Sequence, residues 1–245
     1  MTSAVTVANV ARHDDPDSVR AYTREASLWP IERALIEEFM PPPPARLLDI
    51  GCGGGRTPVP LADAGYEVAA IDLSGSLLSA AHRRHPGLRL AQMDAAVLGF
   101  GSEAFDAAFF SFNGIDYIYP ESARVSCLAE VFRVLRPGGV FILSSHNLIG
   151  HLWSGGYWYL RGYLNAARLL GRQRGNPHIR EWYARYGDEQ VHYSAPPTRT
   201  VSQLQDAGFE MLTVRGASGE RNLANIRMHQ PHVYFVAKKP VSVAP

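Results

Sequence analysis

The most restrictive feature of this sequence is a run of glycines that directly follows a short apolar segment. The apolar segment, Arg46-Leu-Leu-Asp-Ile50, has the length and composition of a buried strand. Gly51-Cys-Gly-Gly-Gly55 follows, and Thr57-Pro58 then supplies a capping residue and a proline suited to the first helical position. A strand, a glycine loop and a helix are therefore predicted in direct succession.

Strands and helices continue to alternate after this unit. The predicted strands are Glu67–Asp72, Leu88–Met93, Phe105–Phe112, Val140–Ser144, Phe209–Val214 and Val233–Ala237. The predicted helices run from Ser74 to about His85 and from about Glu121 to Leu135, and Val201–Ala207 resumes the pattern before the last two strands. Alternation of this kind predicts an α/β fold with a mostly parallel, Rossmann-like sheet and helices on both faces.

The chain divides into three predicted parts. Residues 1–44 form an N-terminal helical cap, in which one helix over Asp17–Met40 ends at the prolines of Pro41–Pro44. Residues 45–147 and 198–240 form the main domain. Residues 148–197 break the strand–helix pattern and are rich in aromatic and arginine side chains, so they are predicted to be an insertion.

Composition excludes several classes of function. Lys and Arg number 24 against 23 for Asp and Glu, so no global positive field exists to hold a nucleic acid. The two cysteines, Cys52 and Cys127, form neither a disulfide framework nor a cysteine-rich zinc site. No leader-like segment or membrane-spanning apolar run occurs, which predicts a soluble cytoplasmic protein without a membrane partner.

Acidic side chains and glycines meet at the predicted carboxyl edge of the sheet, where ligands of such folds bind. Gly51, Gly53 and Gly55 let the backbone approach a ligand, and Asp72, 23 positions beyond Asp49, is placed to accept both hydroxyls of a ribose. This spacing predicts a nucleoside-containing cofactor. Arg56 holds a position where the dinucleotide fingerprint requires glycine, which disfavours NAD.

Several motifs in register resemble the class I S-adenosylmethionine-dependent methyltransferases. They are Leu48-Asp-Ile-Gly-Cys-Gly-Gly-Gly55, Asp72, Met93-Asp94-Ala95 and Arg133-Val-Leu-Arg-Pro-Gly-Gly139. The resemblance covers about residues 45–147 and implies a seven-stranded sheet whose last strand is antiparallel. It also implies that the loop at 51–55 lines the methionine part of the cofactor, that Asp72 binds the ribose, and that Asp94 and Ala95 contact the adenine.

Further cofactor contacts are predicted around this core of the site. Asp49 is expected to favour the positively charged amine and sulfonium end, although it could instead bond only to the turn backbone. The remaining predicted cofactor contacts are Leu73, Asn113 and, from the N-terminal cap, Tyr22.

The acceptor side of the site is predicted at the loops after the fourth and fifth strands. His146 is the preferred general base, since imidazole accepts a proton near pH 7. Asp116 is the second candidate and could equally cap the following helix. The nine histidines show no H-E-x-x-H motif or tight His/Asp cluster along the chain, so no metal is predicted.

The aromatic insertion is predicted to act as a lid over the acceptor, because aromatic side chains make rigid pocket walls with polar tips. A small satellite core is the alternative explanation for the same residues. The predicted substrate contacts are Tyr117, His146, Trp153, Tyr157, Trp182 and Tyr193.

Together these features predict a methyltransferase that transfers a methyl group from S-adenosylmethionine to O or N of a small organic acceptor, a specialised metabolite or a sugar-containing compound. The chain is expected to act as a monomer or homodimer. Two alternatives stay open at this stage. One is an NAD-dependent oxidoreductase, and the other is a methyltransferase-fold protein that binds the cofactor without methyl transfer.

Overall fold

A computed structural model describes residues 3–24, 26–155, 182–186 and 190–241. Its centre is a seven-stranded sheet with the strand order β3-β2-β1-β4-β5-β9-β8, in which β9 runs antiparallel to both of its neighbours. The strands are β1 (Arg46–Ile50), β2 (Glu67–Asp72), β3 (Arg89–Gln92), β4 (Phe105–Phe110), β5 (Leu135–His146), β6 (Tyr183–Tyr186), β7 (Gln190–Tyr193), β8 (Glu210–Gly216) and β9 (His232–Lys238). The predicted Rossmann-like α/β sheet with an antiparallel last strand is confirmed.

Helices cover the two faces of this sheet. They are α1 (Ala4–Asp14), α2 (Pro16–Tyr22), α3 (Pro30–Phe39), α4 (Pro58–Asp63), α5 (Gly75–Arg84), α6 (Glu121–Val134), α7 (Leu148–Gly155), α8 (Pro197–Asp206) and α9 (Leu223–His229). A 3₁₀ turn spans Gly114–Tyr117. Among the described residues, no helix is both long enough and apolar enough to cross a bilayer.

The sheet separates two hydrophobic cores. One core packs Leu128 and Val131 of α6 against buried side chains of the sheet such as Phe141. The other packs Leu35 of α3 and Leu61 of α4 against the opposite face. Because β1 and β4 are buried on both faces, their carboxyl ends are held rigidly at one edge of the molecule.

The N-terminal cap differs from its prediction. The single helix expected over Asp17–Met40 is two helices, α2 and α3, with the non-helical residues 26–29 directly before α3, and α1 precedes them. The break has a tertiary cause. Arg56, directly after the glycine loop, donates a hydrogen bond to the carbonyl of Ser27 at 2.9 Å, so this carbonyl bonds to a side chain and not to a helical backbone N–H. Pro30 then opens α3 at a position where no backbone N–H is needed.

The described part of the insertion contains α7 and an antiparallel hairpin, β6–β7. Tyr183, Tyr193 and Ala195 form a small buried core there, with Tyr119 and Trp182 packed against it. Ala195 also bridges to Asn147, which follows β5 and is fully buried. The hairpin is therefore joined to the edge of the sheet where the strands end.

Candidate functional site

A cavity of about 440 Å³ lies at the carboxyl ends of β1, β2 and β4. Its size suits a cofactor or a drug-sized molecule. The predicted cofactor contacts that line it are Tyr22, Gly51, Gly53, Asp72, Leu73, Asp94 and Ala95. Three other predicted contacts, Asp49, Gly55 and Asn113, do not line the cavity.

The glycine loop makes one wall of this cavity. Gly51 has a φ of +67°, and a Cβ there would come within 2.8 Å of the Phe110 ring, so only glycine fits. A Cβ on Gly53 would meet no atom of the described residues within 4 Å beyond its own chain neighbours. The loop backbone therefore borders open space, as a cradle for a ligand requires.

Asp72 closes the neighbouring wall and also holds the loop in place. Its carboxylate accepts hydrogen bonds from the backbone N–H groups of Gly53 and Ser74, both at 2.8 Å. Burial raises the pKa of Asp72, although these N–H groups act in the opposite direction. The same carboxylate that faces the cavity thus fixes the turn after β2.

Asp49 lies behind the loop rather than in the cavity wall. Thr57 donates a hydrogen bond to its Oδ2 at 2.5 Å, while Oδ1 is buried without a hydrogen-bond partner among the described residues. Burial raises the pKa of Asp49 to about 7, against the opposing effects of Thr57 and Arg56. Thr57 begins α4 as predicted, but its hydroxyl serves Asp49 instead of capping the helix.

The raised pKa of Asp49 makes stability fall with pH. Between its ordinary value of 3.8 and about 7, the folded state holds a proton that the unfolded state has released, so rising pH favours unfolding. One such group changes the free energy of unfolding by about 1.4 kcal/mol per pH unit. Between about pH 5 and about pH 6.5, the free energy of unfolding of the Asp49→Asn variant should therefore fall by about 2 kcal/mol less than that of the wild type.

Urea unfolding of both proteins at a series of pH values measures the difference. Asp63→Asn, an exposed position on α4, is the matched control and should keep the wild-type pH dependence. Parallel curves for the Asp49→Asn variant and the wild type would contradict the prediction.

Sequence reasoning missed a charged pair that joins the N-terminal cap to the glycine loop. Arg56 makes two 2.8 Å hydrogen bonds to Glu32 of α3, which is fully buried. The guanidinium also lies over the rings of Trp29 at 4.6 Å and Phe112 at 5.7 Å. Glu32 accepts further hydrogen bonds from Tyr234 and Ser111. Sequence reasoning used Arg56 only against NAD binding, because the partner lies 24 residues away.

Helix α1, which the sequence analysis did not predict, forms another wall. Thr6, Asn9, Val10 and His13 line the cavity from this helix. Asn9 donates hydrogen bonds to the carbonyls of Tyr117 and Val191, at 3.2 and 2.8 Å. These bonds tie α1 both to the 3₁₀ turn and to β7.

Comparisons with known proteins agree with this geometry. A family model described as a methyltransferase domain matches residues 47–139. The demethylmenaquinone methyltransferase of Renibacterium salmoninarum is 29% identical over 189 residues, which are 76% of this chain and 76% of that protein. The enzyme of the same name from Paenarthrobacter aurescens is 32% identical over 177 residues, 71% of this chain and 66% of that protein. The chain belongs to the class I S-adenosylmethionine-dependent methyltransferases.

A solved structure supports the fold of this methyltransferase independently. An S-adenosylmethionine-dependent methyltransferase from Methanosarcina mazei superposes with a TM-score of 0.67 at 24% identity, covering 88% of this chain and 100% of that one. At this identity the likeness shows the fold. The cofactor is S-adenosylmethionine, and the NAD-dependent alternative is set aside.

The two predicted catalytic residues of the methyltransferase form a buried pair outside the cavity wall. Asp116 Oδ2 accepts hydrogen bonds from the backbone N–H and Nδ1 of His146, at 2.7 and 2.8 Å. Asp116 Oδ1 accepts from Arg124 at 2.7 Å and from Ser145 at 2.8 Å. Burial alone would raise the pKa of Asp116, but Arg124 and His146 hold it below its ordinary value.

This geometry corrects the interpretation of Asp116 as a base. A fully buried carboxylate with four donors and a lowered pKa has no free site for a substrate proton, so Asp116 orients His146 instead. Asp116 does not cap α6 either, since that helix begins after Pro120. His146 itself is not among the residues that line the cavity.

The histidines are widely spaced along the sequence, as noted above, but the fold brings four of them together in space. His146, His151, His192 and His232 converge where β5 and β9 meet α7 and β7, with the rings of His146 and His192 only 4.5 Å apart. Burial, together with the nearby His146, lowers the pKa of His151 and His192 to about 3 and that of His232 to about 4. Asn113 Nδ2 lies 2.8 Å from His232 Nδ1, so Asn113 belongs to this cluster rather than to the cavity wall.

The predicted substrate contacts are dispersed. Tyr117 lines the cavity, and its ring packs against those of His13 and His192. Tyr193 is fully buried in the satellite core, with Trp182 against that core, and Trp153 is largely exposed beside His229. Tyr157 lies outside the described residues. For Tyr193 and Trp182 the satellite-core explanation fits the structure. Tyr193 forms that core with Tyr183 and Ala195, Trp182 packs against it, and neither Tyr193 nor Trp182 lines the cavity.

Proposed function

We propose that this methyltransferase transfers the sulfonium methyl group to O or N of a small organic acceptor, such as a specialised metabolite. One observation carries the proposal: a single cavity joins the cofactor-binding edge of the sheet to a group of aromatic side chains. The aromatic group that lines its other walls consists of Tyr22, Trp29, Phe112, Tyr117 and Tyr119. Such walls suit a flat, largely apolar acceptor of small size.

The cavity fits the cofactor on the evidence of its own residues. The open space beside Gly53 leaves room along the loop, and Asp72 and Asp94 supply carboxylates for hydroxyl and amine donors. Asp49 lies behind the loop with its Oδ1 unpaired among the described residues, so a cationic ligand end in the cavity would favour the ionised form of this carboxyl. When bound, S-adenosylmethionine supplies the activated methyl group. The chain's own contribution is alignment and exclusion of water.

Asp72 gives the sharpest test of the cofactor site. Asp72→Ala should weaken S-adenosylmethionine binding by about 1.5–3 kcal/mol, roughly 10- to 150-fold, since a charged hydrogen-bond acceptor is lost. Isothermal titration calorimetry measures the affinity, and the exposed Asp63→Ala variant is the control. An affinity within about twofold of wild type would reject Asp72 as a cofactor ligand.

A hydroxyl acceptor would need a base, whereas a neutral amine would not. Among the described residues, His13 is the histidine that lines the cavity. Its Nδ1 donates to the carbonyl of Asn9 at 2.7 Å, which leaves Nε2 as the acceptor atom when the ring is neutral. We therefore assign proton acceptance to His13 in place of His146. With a hydroxyl acceptor, His13→Ala should lower kcat at least about tenfold, and the exposed His82→Ala should not.

The relatives favour a second candidate, in which the acceptor is a compound like demethylmenaquinone. Two of them, at 29% and 32% identity, are named demethylmenaquinone methyltransferases. Transfer of isotope from methyl-labelled S-adenosylmethionine separates the candidates when phenols, amines and demethylmenaquinone are offered in parallel. Mass spectrometry and fragmentation of the product then locate the methyl group on O, N or C. No transfer to any acceptor class would contradict the proposed function and favour a protein that only binds the cofactor.

We also propose that the protein is located in the cytoplasm, as expected from its sequence. Fractionation of cells that express the chain tests this location, and recovery with the membrane fraction would contradict it.

A further inference from the structure

A cluster of histidines outside the cavity wall brings three ring nitrogens close together. One ring nitrogen from each of His146, His151 and His232 lies within 4.8 Å of the other two. The ring centroids of these three residues are 5.1–5.3 Å apart in each pair. All three side chains are partly buried, so the nitrogens are held by the fold and not by chance contacts of surface side chains.

The fold fixes this cluster from three directions. His146 and His232 are directly opposed in the antiparallel register of β5 and β9. His151 lies on α7, whose path is set by Asn147: its side chain donates to the carbonyls of Ile226 and Gln230, and its carbonyl accepts from the N–H of His151. Two strands and a helix therefore present the three imidazoles to one point.

A carboxylate orients one of the imidazoles from behind. The Nδ1–H of His146 donates to Asp116, which leaves Nε2 as the nitrogen with the lone pair. Imidazoles that bind metals commonly donate their second N–H to a carboxylate in this way. Arg124 and Ser145 hold Asp116 in turn, so the orientation of His146 is determined by a fully buried network.

Asn113 provides an independent observation that points to a ligand. It is nine-tenths buried, its Nδ2 lies near ring nitrogens of both His232 and His146, and its Oδ1 has no hydrogen-bond partner among the described residues. Rotation of this amide by 180° would place Oδ1 where it accepts the Nδ1–H of His232. The Nε2 atom of His232 would then carry a lone pair for a metal, as that of His146 does.

We propose that His146, His151 and His232 bind one divalent transition-metal ion, such as Zn²⁺ or Co²⁺, at a site separate from the cofactor cavity. Imidazole nitrogen is a preferred donor for these ions. Two ligands 2.1 Å from a tetrahedral ion are about 3.4 Å apart, so the rings need to close by only about 1 Å each. The ring of His192, 4.5 Å from that of His146, lies near the position of a fourth ligand.

The bound ion is expected to stabilise the packing of α7 and the start of β9 against the end of β5. The 3₁₀ turn Gly114–Tyr117 separates the cluster from the cavity, since Gly114 and Tyr117 line the cavity while Asn113 contacts the histidines. Metal binding should therefore raise the melting temperature and leave the affinity for S-adenosylmethionine within about twofold. This inference does not depend on the identity of the methyl acceptor.

The test uses the full chain stripped with a chelator and then dialysed against Zn²⁺ or Co²⁺. Elemental analysis should find about one ion per chain, and Co²⁺ should give the visible absorption of a nitrogen-ligated, four-coordinate ion. His151→Ala and His232→Ala should each weaken Zn²⁺ binding at least about tenfold. The exposed His82→Ala is the matched control and should bind like wild type.

Circular dichroism and S-adenosylmethionine binding show whether each variant is folded. Far fewer than one ion per wild-type chain, or the same Zn²⁺ affinity in folded His151→Ala and His232→Ala variants as in wild type, would overturn the proposal. If both variants fail to fold, the wild-type Co²⁺ spectrum decides. A spectrum of hydrated Co²⁺ alone would reject the site.

Discussion

Replacing Arg124 by methionine should lower the free energy of unfolding by about 3–5 kcal/mol. Arg124 and Asp116 have side chains that are 0% exposed, and their hydrogen bond is 2.7 Å long. Without the guanidinium, Asp116 is left as a buried charge that has lost its arginine partner. Because the lowered pKa of Asp116 depends on this cation, the carboxylate would also become easier to protonate.

Urea unfolding monitored by circular dichroism measures the loss. Arg20→Met is the matched control, since Arg20 forms an exposed pair with Asp17 and such pairs contribute about 1 kcal/mol or less. The double variant Arg124→Met, Asp116→Asn should recover part of the loss, because it removes the uncompensated charge. A loss below about 1 kcal/mol for Arg124→Met would show that the pair is not what stabilises this region.

Replacing Arg56 by methionine should also lower the free energy of unfolding by about 3–5 kcal/mol, since the fully buried Glu32 would lose its charged partner. Here the effect should extend to the cofactor. Arg56 joins α3 to the glycine loop and lines the cavity, so its loss frees the N-terminal cap and weakens S-adenosylmethionine binding.

The two partners should not be equivalent, which gives the prediction a second readout. Arg56 is 18% exposed and stacks on Trp29, so Glu32→Gln leaves a cation that still reaches water and an aromatic face. Glu32→Gln should therefore destabilise the protein less than Arg56→Met in the same unfolding experiment. The opposite order would contradict this account of the pair.

The elements that the sequence predicts well are those determined by neighbouring residues. Strand β2 has the predicted bounds, Glu67–Asp72, because its apolar run lies between clear turn signals. Ser74 caps α5 as predicted, through a hydrogen bond from the N–H of Leu77. Asp72 and Asp94 were found as cavity residues because strand ends in this fold lie at one edge.

The features that were missed depend on contacts between distant parts of the chain. His146 and His232 are 86 positions apart, and only the β5–β9 register brings them together. The break between α2 and α3 depends on Arg56, and the weak apolar pattern of α1 gives little indication of a helix held by Asn9. Periodicity within a segment reports its own shape, whereas these contacts are decided by the packing of the whole chain.

Asn9 has a further consequence through the two segments that it joins. Its side chain bonds to Val191 in the insertion and to Tyr117 beside the cavity, while its own helix forms a wall over the cofactor-binding edge. A ligand that stabilises the docked position of α1 therefore also stabilises the positions of the two segments bonded to Asn9. If the cofactor and the acceptor both bind against this docked helix, their binding is thermodynamically linked, and each changes the affinity for the other by the same factor.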